Sequence, residues 1–98
     1  MKGKVALVMG GGAGTGRATA LAFAREGARV VVADINETLA HKSAGLIRAA
    51  GGEALAIRAD MARAADIQAV MEAARSTFGG LHMASNNAAA AAPNKPLT

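Results

Sequence analysis

The polypeptide has 98 residues, with 11 Lys and Arg against 7 Asp and Glu for a formal net charge of +4, and it contains no Cys, Trp or Tyr. That length holds one small domain at most, and the missing thiols exclude a disulfide framework, a thiolate zinc site and a cysteine nucleophile. Cationic side chains are scattered along the chain and aromatic stacking platforms are nearly absent, so no nucleic-acid partner is expected.

No uncharged apolar run approaches the roughly 18 residues of a membrane span. The first apolar run, Val5 to Met9, passes straight into glycines and forms no signal-peptide core. The expectation is a cytoplasmic protein with no membrane partner, and the absence of cysteine fits a reducing compartment.

Short apolar runs alternate with segments of helical length. Val5 to Met9 reads as a first strand, and Arg17 to Glu26 as a helix stopped at Gly27. Arg29 to Ala33 is a second strand, rich in β-branched residues. Asn36 can cap a helix running to about Ala50, where Gly51 and Gly52 end it. A third strand is expected at Ala54 to Ile57. Ala64 to Phe78 then places Ile67, Val70, Met71, Ala74 and Phe78 on one face at helical period. Leu81 to Ser85 is a weaker fourth strand, opening near His82. Met61, Met71 and Met83 read as core fillers. The βαβαβαβ order with continuous apolar strands implies an α/β fold, a parallel sheet covered by helices on both faces. Five consecutive alanines from Ala88, followed by Pro93 and Pro96, read as a loop. The expected boundaries are 1–87 for the strand–helix portion and 88–98 for the loop.

The chemistry is concentrated after the first strand. Residues 10–16 hold five glycines in seven positions, which lets the backbone turn tightly and approach a bulky anion. The helix that follows offers free N–H groups and the positive end of its dipole to a pyrophosphate. There is no Gly-Lys-Ser/Thr, which disfavours a nucleoside-triphosphate loop. Asp34 ends the second strand 18 residues past Gly16, where a carboxylate can accept from ribose hydroxyls and repel a 2′-phosphate. The plainer alternative is that Asp34 helps cap the helix after it. Arg17 is a counterweight, since a cation near that ribose can accept a 2′-phosphate. His41 reads as a solvated surface residue, and no cluster has metal-ligand spacing.

These residues resemble the short-chain dehydrogenases/reductases, whose pattern Thr-Gly-x-x-x-Gly-x-Gly falls on Gly10, Gly14 and Gly16. Gly27 to Asp34 is similar to the second strand of NAD-preferring members. Asp60 matches the acid that contacts the adenine amino group, with Met61 beside it. Asn86, Asn87 and Ala88 match the start of an Asn-Asn-Ala-Gly motif lining the cofactor cleft. Met9, Thr15 and Ala89 depart from the family's Thr, Ile or Leu, and Gly. The resemblance implies a Rossmann-type doubly wound sheet in the order 3-2-1-4. It implies cofactor contacts at Gly10, Gly12, Gly14, Thr15, Gly16, Asp34, Ile35, Asp60, Met61, Asn87 and Ala88. The cofactor is NAD in preference to NADP, and the substrate of the longer protein is a small alcohol or carbonyl compound. A homo-oligomer, often a tetramer, is the family habit. The family's catalytic Ser and Tyr-x-x-x-Lys lie beyond the matched motifs, so no catalytic residue is assigned here. The 98 residues then form a fragment without turnover. The alternative is a stand-alone nucleotide-binding or interaction module.

Overall fold

The computed structural model describes residues 2–86, in which strands and helices alternate. In chain order they are β1 (Val5–Met9), α1 (Gly14–Arg25), β2 (Arg29–Asp34), α2 (Glu37–Ala49), β3 (Ala54–Arg58), α3 (Ala64–Phe78) and β4 (Met83–Asn86). All neighbouring strands run parallel, in the order β3-β2-β1-β4. Met9 at the end of β1 lies opposite Ala33 of β2 on one side and Asn86 of β4 on the other. This is the doubly wound Rossmann-type arrangement expected from the resemblance.

Alternation along each strand feeds two cores. Val8, Val30 and Val32 pack with Ala20, Ala40 and Ile47 on the face covered by α1 and α2. Val5, Leu7, Val31 and Ala33 pack with Val70 and Ala74 on the α3 face. Burying each large aliphatic side chain contributes about 1.5–3 kcal/mol, so the Val-rich β1 and β2 anchor the sheet. Alanines at the helix contacts let the helices lie close to it. Among the described residues no helix is long and apolar enough to cross a membrane.

Several boundaries differ from the sequence expectation. Helix α1 starts at Gly14 and ends at Arg25, so it opens three residues before Arg17. Glycine's weak helix propensity hides that first turn, and packing against β1 overrides it. Strands β2 and β3 each extend one residue further, to Asp34 and Arg58. Strand β4 begins at Met83, because His82 has another task. Its Nδ1 accepts from the Val5 N–H at 2.9 Å, and its own N–H donates to the Val5 carbonyl at 2.9 Å. Met71 is no core filler: it is 41% exposed, while Val70 and Ala74 are buried on the inner face of α3. Asn87, Ala88 and the expected loop at 88–98 lie outside the described residues.

Ala84 of β4 is exposed, and β4 has a neighbouring strand on its β1 side alone among the described residues. A parallel sheet with such an edge has few local contacts to offset chain entropy. The 98-residue polypeptide on its own is therefore expected to be poorly soluble or to melt broadly by circular dichroism. A sharp, reversible melt of the monomer overturns that expectation.

Candidate functional site

The order β3-β2-β1-β4 reverses its winding at β1, which places a crevice at the carboxyl ends of β1 and β4, where such sheets take ligands. The glycine-rich turn fills this end. Gly10 and Gly14 have positive φ, 76° and 58°, which L side chains rarely adopt. Gly16 is required for space, because a Cβ there would lie 1.9 Å from the Gly10 carbonyl oxygen. The first turn of α1 thus sits directly on the end of β1.

The two helices on that face begin differently. Helix α2 is capped by Asn36, whose side chain accepts from the Leu39 N–H at 3.1 Å, with Glu37 in its first turn. Helix α1 has Ala13 at its cap position, no capping side chain and no acid in its first turn. Its leading N–H groups and dipole therefore remain available to an anion. Thr15 is exposed at that turn.

Asp34 ends β2 beside the turn. Its Oδ2 accepts from the Gly12 N–H and its Oδ1 from the Asn36 N–H, both at 2.9 Å. Asn36, not Asp34, is the helix cap. Gly12 leaves room for this carboxylate: a Cβ on it would lie 2.7 Å from Asp34 Oδ2 and 2.8 Å from Leu39 Cβ. Ile35, next along, is 57% exposed. Asp60 follows β3 and turns on itself: its Oδ1 accepts from the Ala62 N–H, and its N–H donates to Asp66 Oδ2. Met61 packs partly buried against the α3-side core. The structure therefore gathers Gly10 to Gly16 with Asp34 and Ile35, and it sets Asp60 and Met61 after the edge strand of the same sheet end.

Two residues of this region carry roles that the sequence did not reveal. Arg17 donates from its terminal nitrogen to the Gly12 carbonyl at 2.6 Å and from Nε to Ser43 Oγ at 2.9 Å. Its guanidinium is thus tied to the inside of the turn. Ser43 is the one buried polar side chain among the described residues. Its signal was available, since Ser43 interrupts the apolar face Ala40, Ala44 and Ile47 of α2.

A hollow of about 600 Å³ lies at the opposite end of the sheet, among Lys2, Gly27, Arg29, Gly51 and Glu53. It adjoins the strands' amino ends, away from the glycine turn, and an Arg29–Glu53 ion pair at 2.8 Å engages two of its charged side chains. The carboxyl-end crevice remains the candidate site.

Comparison with known proteins agrees with this geometry. The family model for short chain dehydrogenases matches residues 4–98. The 2,5-dichloro-2,5-cyclohexadiene-1,4-diol dehydrogenase LinX of Sphingobium indicum is 50% identical over 88 residues, covering 90% of this chain and 35% of that protein. Cyclohexanol dehydrogenase of an Acinetobacter species is 51% identical over 85 residues, covering 87% of this chain and 34% of its own. A short chain dehydrogenase/reductase from Burkholderia phymatum, solved in complex with NAD, superposes with a TM-score of 0.82 at 38% identity, covering 85% of this chain and 30% of that one. The chain thus spans about a third of the length of the curated relatives it matches.

Two glycine substitutions separate the close approach from mere flexibility. Gly16→Ala is expected to destabilise the protein by about 3 kcal/mol through overpacking against Gly10. Gly45→Ala, in helix α2 with open space around it, should stabilise it by roughly 0.5–1 kcal/mol. Urea unfolding of both variants in one background checks the pair, and equal effects would remove the packing argument.

Proposed function

The chain belongs to the short-chain dehydrogenase family, and on that premise we propose that it holds NAD for hydride transfer between an alcohol and a carbonyl compound. The carrying observation is the Asp34 carboxylate, fixed by two backbone N–H groups at the same sheet end as the uncapped first turn of α1. A carboxylate so placed accepts from a ribose diol and repels a 2′-phosphate, which favours NAD over NADP.

The residues present fit such a cofactor. The close approach of Gly16 to the Gly10 carbonyl, which a Cβ would block, sets the first turn of α1 on the end of β1, and that helix start carries no competing acid. Gly10, Gly14, Thr15 and Gly16 would hold the pyrophosphate, with Gly12, Asp34 and Ile35 at the adenosine ribose. Asp60 and Met61 would meet the adenine, and Asn87 and Ala88 would line the cleft. When bound, the nicotinamide supplies the hydride acceptor or donor. This chain's residues bind and orient it, and none is assigned the proton transfer. We place the nucleotide-binding portion at 1–87, with 88–98 as the loop that follows the fourth strand. The alcohol or carbonyl class of the substrate follows the family and the names of the relatives.

Titration with NAD and NADP tests the reading. NAD should bind more tightly, and Asp34→Ala should narrow the difference by about tenfold or more, the loss of a charged hydrogen-bond acceptor. Tighter NADP binding by the unmodified protein would remove Asp34 from the role given to it. On the polypeptide as its source produces it, NADH formation from a panel of secondary alcohols separates a dehydrogenase from a binding module without turnover.

A further inference from the structure

We propose that Ser43 is a positioning residue for cofactor discrimination, acting through the Gly11–Gly12 peptide on Asp34. The inference rests on the reading above that Asp34 meets the adenosine ribose. It adds a residue on a different helix, outside the glycine motif.

The geometry is that of one peptide plane held at both ends. The Ser43 hydroxyl lies 2.7 Å from the Gly11 carbonyl and 3.1 Å from the Gly12 carbonyl. A hydroxyl has one proton, and the Gly12 carbonyl already accepts from Arg17 at 2.6 Å. The Ser43 proton therefore goes to Gly11, and the Ser43 oxygen accepts from Arg17 Nε. The carbonyl of Gly11 and the N–H of Gly12 belong to the same peptide group, and no peptide among the described residues is cis. In a trans peptide these two groups point in opposite directions. Ser43 grips the inner end, and Asp34 Oδ2 accepts from the outer end at 2.9 Å.

Gly10, Gly11 and Gly12 are consecutive and carry no Cβ, so although Val8, Val32 and Leu39 lie against the turn, its own backbone does little to fix the orientation of that plane. The hydrogen bonds must hold it. The preceding residues are tied separately, with the Gly10 and Gly11 N–H groups both donating to the Ala33 carbonyl at 2.7 and 3.3 Å. Without the Ser43 hydroxyl, the Gly11 carbonyl and Arg17 Nε both lose a partner in a buried place. Any tilt of the plane that takes the Gly11 carbonyl toward another donor also carries the Gly12 N–H off Asp34. The carboxylate then keeps Asn36 as its backbone donor and loses its fixed aim.

The test is a double-mutant cycle on the polypeptide as its source produces it, reading Kd for NADH and NADPH by fluorescence titration. Ser43→Ala should weaken NADH binding by about tenfold and lower the NADH-over-NADPH preference with it. In an Asp34→Ala background the same change should leave that preference within about twofold. Equal weakening of both cofactors by Ser43→Ala, or an undiminished effect in the Asp34→Ala background, overturns the proposal. Ser43→Cys fills the same space and donates weakly. If Ser43→Ala does not fold, an unaltered preference in Ser43→Cys overturns it, and an intermediate preference supports it. The unmodified protein's own preference separately tests the cofactor reading. Coupling between Ser43 and Asp34 in a protein that prefers NADPH would sink that reading and leave the positioning role standing.

Discussion

The contact between Gly16 and the Gly10 carbonyl is the constraint on which the site depends. It brings the first turn of α1 onto the end of β1, so the helix axis meets the sheet at its carboxyl edge. From there α1 packs beside α2 on one face, and α2 covers β2 and β3. Residues at the ends of different strands are thereby collected around one turn. The spacing of Gly10, Gly14 and Gly16 is a geometric demand of that approach as much as a ligand motif.

The turn has two sides with opposite needs. Inside, its backbone is well partnered: the Gly10 and Gly11 amides donate to Ala33 and the Gly12 amide to Asp34, while Ser43 and Arg17 donate to the Gly11 and Gly12 carbonyls. No buried side-chain nitrogen or oxygen among the described residues lacks a partner. Outside, the start of α1 has no side-chain cap. A backbone satisfied on its buried face and unsatisfied on its exposed face is organised before any anion arrives, so binding does not bear the cost of ordering it.

Much of this was legible in the sequence where one physical signal dominates. Val5 to Met9 and, within β2, Val30 to Ala33 are apolar throughout because both faces of β1 and β2 are covered, and a continuous run reports that directly. Asn36 was legible as a cap because its chemistry is local. The start of α1 was hidden because Gly14 and Gly16 argue against helix while packing argues for it, and packing prevails. Met71 shows the limit of periodicity: it shares the apolar stripe of α3, yet it sits at the stripe's rim beyond the sheet's reach. His82 and Ser43 make hydrogen bonds to residues 77 and 32 positions away. No local pattern encodes such pairings, and a single serine in an apolar helix face is the faint trace that Ser43 leaves.

The space beside Gly12 has a consequence for how this family member can change over generations. The carboxylate of Asp34 stands where a methyl group on residue 12 would be, so two codons 22 residues apart specify a single trait. A lineage that gains a side chain at 12 while keeping the acid forces atoms together. One that loses the acid first makes that same side chain tolerable as far as the carboxylate is concerned, with Leu39 the remaining neighbour. The order of mutational steps is therefore not symmetric, and the glycine at 12 acts as an historical lock on the acid at 34.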